Sequence, residues 1–265
     1  MANSNITITN DALTKLGVSN RITAMTDDTE EAKAANQIFT DVVEDILAEH
    51  DWNFAIGQTE LIRARKTITG ITAATPPVVT SASHGFSDGD TVIIEDVVGM
   101  TEVNGVKFKV ASGATNTFEL TDHQDVDIVG ASYTAYSSGG KVMPAPIFRY
   151  AYKFSLPSDY LRMIEDYNEY EFQIENGFVV TDESEPQFYY IKNVTDYTLI
   201  SPKFREALIA RLAFELSMVL KGSGSMRDRL ESEKIRALRK AKRADALEGT
   251  SPTLPDGSWL DARLQ

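Results

Sequence analysis

The tract from residue 67 to residue 142 has a composition that disfavours helices. Lysine and arginine are scarce there, while threonine, valine, serine and glycine dominate. Short runs of alternating apolar and polar residues, such as Val106-Lys-Phe-Lys-Val110, are typical of β-strands. The turn signals Ser87-Asp-Gly-Asp90 and Asn104-Gly105 separate these runs. The tract therefore predicts an inserted all-β barrel domain over residues 67–142.

The sequence on both sides of this tract predicts one discontinuous helical domain, residues 1–66 and 143–248. Apolar residues recur at spacings of three and four, which is typical of amphipathic helices. Helices are predicted over residues 9–17, 29–50, 204–220 and 226–247. Alternation at Trp52, Phe54 and Ile56 predicts a strand or an extended segment, and Asn176-Gly177 predicts the tip of a hairpin. The predicted fold class is α+β: a helical bundle core with a small β-sheet region and the inserted barrel.

The last seventeen residues, 249–265, are rich in proline and turn-forming residues. Such a composition predicts an extended C-terminal arm rather than a further helix. Its apolar residues could anchor it on a partner, at the entropic cost of ordering it. The alternative is a frayed terminus.

The residue content leaves few candidates for catalysis. The chain has no cysteine, which excludes disulfides, thiol nucleophiles and thiolate metal sites, and it has three histidines. Phosphate-binding glycine loops and zinc-protease motifs do not occur in the sequence. The prediction is therefore a protein that is not an enzyme, with no catalytic, cofactor-binding or metal-binding residues.

Other polar and aromatic groups have structural interpretations. The acids around Asp88 and Asp90 are interpreted as hairpin-turn residues, and His84 as a turn histidine that bonds to the backbone. His50 is interpreted as a partner for the C-terminal dipole of a helix. Tyrosines dense across residues 150–170 could form a carbohydrate platform, but strand tyrosines more often belong to the core and its rim.

Charge is unevenly distributed along the chain. The formal net charge is -13, yet the segment 202–265 carries thirteen bases and nine acids. Five of these bases share one face of the last predicted helix: Arg229, Arg236, Arg239, Lys240 and Arg243. An acidic body with one basic segment is unsuited to coating nucleic acid over its whole surface. Ordinary solvation of a charged helix is the simpler interpretation.

No apolar run reaches the roughly 20 residues that span a bilayer, so no membrane association is expected. The first residues lack the basic and apolar regions of a secretion signal. The expected location is a reducing cytoplasm or a particle assembled there.

Two stretches resemble head-to-tail adaptor proteins of short-tailed bacteriophages, the family also called tail tubular protein A. The first begins with Ala12-Leu-Thr-Lys-Leu-Gly17 and ends with Asp51-Trp-Asn-Phe-Ala55. The second includes Tyr152-Lys-Phe-Ser-Leu-Pro-Ser-Asp-Tyr-Leu-Arg162 and Phe204-Arg-Glu-Ala-Leu-Ile-Ala-Arg-Leu-Ala-Phe-Glu-Leu216, and closes on Trp259-Leu-Asp-Ala-Arg263. Their co-occurrence, in the family's order, carries the resemblance.

The insert resembles a small β-barrel first named from the catalytic-cysteine half-domain of ubiquitin-activating enzymes. The residues that carry this resemblance are Pro77-Val-Val-Thr-Ser-Ala-Ser-His-Gly-Phe-Ser-Asp-Gly-Asp-Thr-Val92, Gly99-Met-Thr-Glu-Val-Asn-Gly105 and Tyr136-Ser-Ser-Gly-Gly-Lys141. This barrel recurs in phage structural proteins as an added domain. Because the chain has no cysteine, the resemblance implies no ubiquitin chemistry.

The adaptor resemblance implies a structural protein of the virion neck and tail, assembled in the host cytoplasm. It implies a homo-oligomeric ring, usually of twelve copies, that joins the portal protein to the tail nozzle protein. Double-stranded DNA would pass transiently through its channel, and tail fibres are a further possible partner. The C-terminal arm would dock on the portal, with Leu254, Trp259, Leu260 and Arg263 as contact residues.

Two interpretations of the basic face follow from that resemblance. The face could line the channel and contact phosphates, or it could pair with an acidic surface of a neighbouring subunit. The second is preferred because long-lived phosphate contacts would slow DNA exit. Two other functions stay open: a fibre-attachment or receptor-binding tail protein, suggested by the β insert and the tyrosines, and a virion-associated cell-wall hydrolase that uses paired carboxylates.

Overall fold

The computed structural model describes residues 3–164, 170–220 and 224–248. The chain divides into two compact units. The helical unit comprises Met1–Gly57, Asp159–Ile164 and Tyr189–Gln265, and the β unit comprises Gln58–Ser158 and Glu165–Phe188. The β unit therefore extends beyond the predicted insert 67–142 on both sides.

Four helices lie in the described part of the helical unit. They are α1 (Asn5–Leu16), α2 (Glu30–Ala48), α3 (Pro202–Leu220) and α4 (Gly224–Ala246). The start of α1 is fixed by a reciprocal cap: Thr7 N–H donates to Ser4 Oγ at 3.2 Å, and Ser4 N–H donates to Thr7 Oγ1 at 2.9 Å. The helix ends at Gly17 in the left-handed conformation, with φ 71°.

An aromatic cluster occupies the core of the helical unit. The ring of Phe204, on α3, meets the rings of Trp52 and Phe54 edge-on, with centroids 4.9 Å away in both cases. Trp52 is fully buried, and its Nε1–H donates to Ile46 O at 2.8 Å. Asn53–Ala55 form a single 3-10 turn, so the strand predicted from Trp52, Phe54 and Ile56 begins only at Ile56.

A three-stranded sheet has the order β1-β13-β10, with β1 at Ile56–Glu60, β10 at Tyr160–Met163 and β13 at Gln187–Lys192. The hydroxyl of Tyr190 donates to Asp159 Oδ1 at 2.8 Å. Burial, with the hydrogen bond and negative charge of Asp159, raises the pKa of Tyr190 to about 12. The phenol therefore stays protonated and serves as a donor at neutral pH.

A curled seven-stranded antiparallel sheet forms most of the β unit, in the order β2-β8-β5-β6-β7-β4-β3. Its strands are β2 (Lys66–Thr67), β3 (Gly70–Ile71), β4 (Val78–Thr80), β5 (Thr91–Val98), β6 (Lys107–Ala111), β7 (Thr117–Thr121) and β8 (Ser138–Pro144). The concave face encloses a separate apolar core that includes Phe108, Phe118 and Leu120.

The segment from Lys66 to Ile71 supplies both terminal strands of this curled sheet. Ile68 N–H donates to Gly140 O in β8 at 3.0 Å, and Thr69 N–H donates to Thr80 O in β4 at 2.9 Å. The first half of the segment is therefore β2 and the second half is β3. One short stretch of chain thus runs from one edge of the half-barrel to the other.

A second sheet of the β unit has the order β11-β12-β9, with β9 at Tyr152–Ser155, β11 at Phe172–Glu175 and β12 at Phe178–Thr181. Asn176 and Gly177 form the tip between β11 and β12, with φ 48° and 80°. These positive values are those that Asn-Gly hairpin turns require. The predicted hairpin is confirmed.

The predicted fold class, a helical bundle core with a small β-sheet region, is wrong. The described residues form thirteen strands in three sheets against four helices, so β-strands are the most numerous elements and the helices do not make up the whole core. The insert is a curled half-barrel sheet rather than the predicted barrel. The strands between residues 152 and 192 pair with segments well separated in sequence, β10 with β13 and β12 with β9.

None of the helices in the described parts of the chain combines the length and apolar character that a membrane crossing requires.

Candidate functional site

Five cations on α4 form an exposed basic face, as the sequence predicts. They are Arg229, Arg236, Arg239, Lys240 and Arg243, and the structure places all five in exposed positions. Arg229, Arg236 and Arg243 are spaced by seven residues, so they follow one line along the helix. Within the described residues, none of the five forms an ion pair.

The opposite side of α4 packs on the helical unit. Leu230, Ala237 and Ala241 are buried there, which matches the predicted apolar stripe. Cations nearer this side have partners within the chain. Lys242 Nζ donates to Glu49 O at 3.1 Å, and Lys234 Nζ lies 3.8 Å from the centre of the Phe214 ring.

Arg211 on α3 is the most extensively paired cation of the helical unit. Its guanidinium lies 3.3 Å from Asp45, 3.4 Å from Glu49 and 3.3 Å from Glu215. The pair with Glu215 joins residues one helical turn apart, at the i,i+4 spacing. Asp45 on α2 and Glu49 just after its end therefore have a cationic partner within the chain. Asp41 on α2 is exposed.

Asp245 near the end of α4 is a buried carboxylate that sequence reasoning missed. It is 3% exposed, and it accepts from Asn53 N–H at 3.1 Å. Its Oδ2 lies 3.2 Å from His50 Nε2, so His50 has a carboxylate partner as well as its place at the end of α2. No signal marked Asp245 because its partners lie about 190 residues earlier in the chain.

The turn residues of the β unit have the structural roles that the sequence predicts. Asp88 Oδ1 accepts from Gly113 N–H at 2.7 Å, and Asp90 Oδ2 accepts from Ser87 N–H at 2.8 Å. His84 Nδ1 accepts from Phe86 N–H at 3.1 Å. In the parts of the chain that the structure describes, no group of three or more His, Asp or Glu side chains is placed to hold a metal ion.

The aromatic residues between 150 and 170 are largely core and rim residues. Tyr150 and Phe154 are buried, while Tyr152, Tyr160 and Tyr170 are half-buried. Burial raises the pKa of Tyr170 to about 12, assisted by the charge of Glu183. Tyr167 lies outside the described residues.

The predicted arm residues Leu254, Trp259, Leu260 and Arg263 also lie outside the described residues.

A family model supports the second resemblance. Residues 76–144 match the "Ubiquitin-activating enzyme E1 FCCH domain". The match covers the strands of the seven-stranded sheet from β4 to β8, and it ends two residues beyond the predicted insert. No curated protein matches the chain.

The structure explains why this signature is specific, since its residues fix the turns of the curled sheet. Asn104 accepts from Val97 N–H and donates to Val97 O, both at 2.9 Å. The hydroxyl of Tyr136 donates to Gly139 O at 2.9 Å. These contacts stabilise the fold of the segment that matches the half-domain model.

Proposed function

We propose that this protein is a head-to-tail adaptor of a short-tailed bacteriophage, which forms a ring between the portal protein and the tail nozzle protein. The ring would form part of the DNA exit channel in the virion neck. The proposal is supported by the two stretches similar to adaptor proteins, which enclose the half-domain in the chain. The observation that carries it is the unpaired basic face of α4 on a chain of net charge -13.

The basic face is proposed as a subunit interface. Arg211 and Lys242 of the helical unit form ion pairs with acids of the same chain, whereas the five outward cations form no ion pair with the described residues. A neighbouring copy offers mostly negative charge, so its surface complements this face. Rings form when one surface of each copy binds a different surface of the next and the rotation closes.

A charge-reversal variant tests the interface. Arg236→Glu, Arg239→Glu and Arg243→Glu together should abolish the ring, because the face then repels the neighbour's acids. We expect wild-type protein mixed with portal rings to give ring-shaped particles in negative-stain images, and the triple variant to stay monomeric by light scattering.

The matched control reverses three exposed or partly paired cations elsewhere: Arg21→Glu, Lys33→Glu and Arg65→Glu. It changes net charge by the same amount, so it should still assemble if the face, rather than total charge, drives assembly. Equal assembly of both triple variants would refute the interface. Tight DNA binding by the wild type at physiological salt, lost in the α4 variant alone, would favour the channel-lining interpretation instead.

The C-terminal arm is proposed to dock on the portal. Deletion of residues 249–265 should remove attachment to portal rings and leave the described fold intact, because the described residues of both apolar cores all precede residue 249. Co-sedimentation with portal rings measures attachment, and circular dichroism monitors folding. A Trp259→Ala, Leu260→Ala variant should reproduce most of the loss. Unchanged co-sedimentation of the deletion would refute the arm's role.

A further inference from the structure

A small cavity in the β unit lies between the turn that contains His84 and strands β9 and β12. Its volume is about 190 Å³. The residues that line it include Lys66, His84, Phe86, Asp90, Lys153 and Phe178. The size suits a ligand of a few heavy atoms rather than a large cofactor, since drug-sized sites begin at about 300 Å³.

His84 contributes a buried donor without a partner. Its Nδ1 accepts from Phe86 N–H at 3.1 Å, so the ring proton belongs on Nε2. The residue is 3% exposed, and Nε2 has no hydrogen-bond partner among the described residues. The rings of Phe86 and Phe118, with centroids 5.6 and 5.0 Å away, hold the imidazole in place. A buried donor left unpaired in this way is unfavourable, so an acceptor beside it would stabilise the site.

Two lysines give the cavity a positive charge. Lys66 Nζ donates to Ser83 O at 2.9 Å, and Lys153 Nζ lies 4.2 Å from the centre of the Phe178 ring. Neither lysine forms an ion pair with the described residues. The carboxylate of Asp90 accepts from Ser87 N–H. The lining thus combines two cations with a neutral N–H donor and one carboxylate that caps a turn.

We propose that this cavity binds a small oxyanion, with a phosphate or carboxylate group as the recognised chemistry. One oxygen would accept from His84 Nε2–H, and the remaining charge would face Lys66 and Lys153. Hydrogen bonds to an ionised acceptor are about twice as strong as neutral ones, so this occupant uses all three groups. The site does not depend on the adaptor proposal.

The histidine content makes the test direct. The chain has His50, His84 and His123, so a spectrum of the full-length protein labelled with 15N-histidine contains three imidazoles. Titration with inorganic phosphate at constant ionic strength should shift the His84 ring signals saturably and leave those of His50 and His123 in place. A second titration with succinate distinguishes a carboxylate occupant from a phosphate one.

Variants identify the cations while His84 stays native as the reporter. Lys153→Met should weaken phosphate or succinate binding about tenfold, the loss of one charge-assisted hydrogen bond. Lys141→Met is the matched control, because Lys141 lies in the same unit, donates to Thr67 Oγ1 and does not line the cavity. It should leave binding unchanged.

Three results would overturn the proposal. The first is that, with either anion, the His84 ring signals shift only at concentrations that also shift those of His50 and His123. The second is an equal weakening by Lys153→Met and Lys141→Met, which indicates general screening. The third is a shift that grows without saturation, which indicates an adventitious ion only.

Discussion

Phe204→Ala lowers the free energy of unfolding of the helical unit by about 3–5 kcal/mol, the range for removing a buried aromatic ring. Phe204 is 1% exposed and joins α3 to the segment that follows α2 through Trp52 and Phe54. The substitution leaves a cavity and removes two edge-on ring contacts. Urea unfolding followed by tryptophan fluorescence measures the effect, since Trp52 is within the cluster.

Val219→Ala on the same helix is the control for Phe204→Ala. Val219 is 64% exposed, so its truncation should change the free energy of unfolding by no more than about 0.5 kcal/mol. If both substitutions gave the same small change, the aromatic cluster would not be the core of the helical unit.

Gly99→Ala should destabilise the β unit by more than about 3 kcal/mol, because strain and a backbone clash act together. Gly99 has φ +93°, which side chains other than glycine rarely adopt. A Cβ there would lie 2.3 Å from Ala135 O and 2.8 Å from Ser137 N, so the loop that leads into β8 would have to move. Thermal unfolding of the full chain measures the loss.

Gly105→Ala separates conformational strain from the clash. Gly105 also has a positive φ, +74°, yet a Cβ there would meet no atom within 4 Å. Its substitution should cost about 1–2 kcal/mol, the left-handed penalty alone. If Gly105→Ala cost as much as Gly99→Ala, the close approach of Ala135 would carry no energetic weight.

Turn residues and apolar periodicity in the sequence predicted the elements that neighbouring residues determine. The Asn176-Gly177 hairpin and the helices α3 and α4 follow from turn chemistry and periodicity. α1 begins at Asn5 rather than at residue 9, because Ser4 is capped by a threonine at the third helical position instead of the usual glutamate.

Elements that depend on distant partners were not predictable in the same way. The alternation at Trp52, Phe54 and Ile56 resembles a strand. Asp245 and Ile46 instead hold Asn53 and Trp52, and Asn53–Ala55 form a 3-10 turn. The oxyanion cavity likewise joins Lys66, His84 and Lys153 from three separate strands or turns, and no spacing in the sequence relates them.

The short strands β2 and β3, at the two ends of the curled sheet, affect how closely copies of this protein can pack without joining through their sheets. The terminal strands β2 and β3 are two residues long each, so the sheet exposes almost no unpaired backbone on which a foreign strand could extend it. Where many copies are held side by side, long free edges would promote fusion into fibres. A β-rich unit with such short ends can be packed densely and still remain separate from its neighbours.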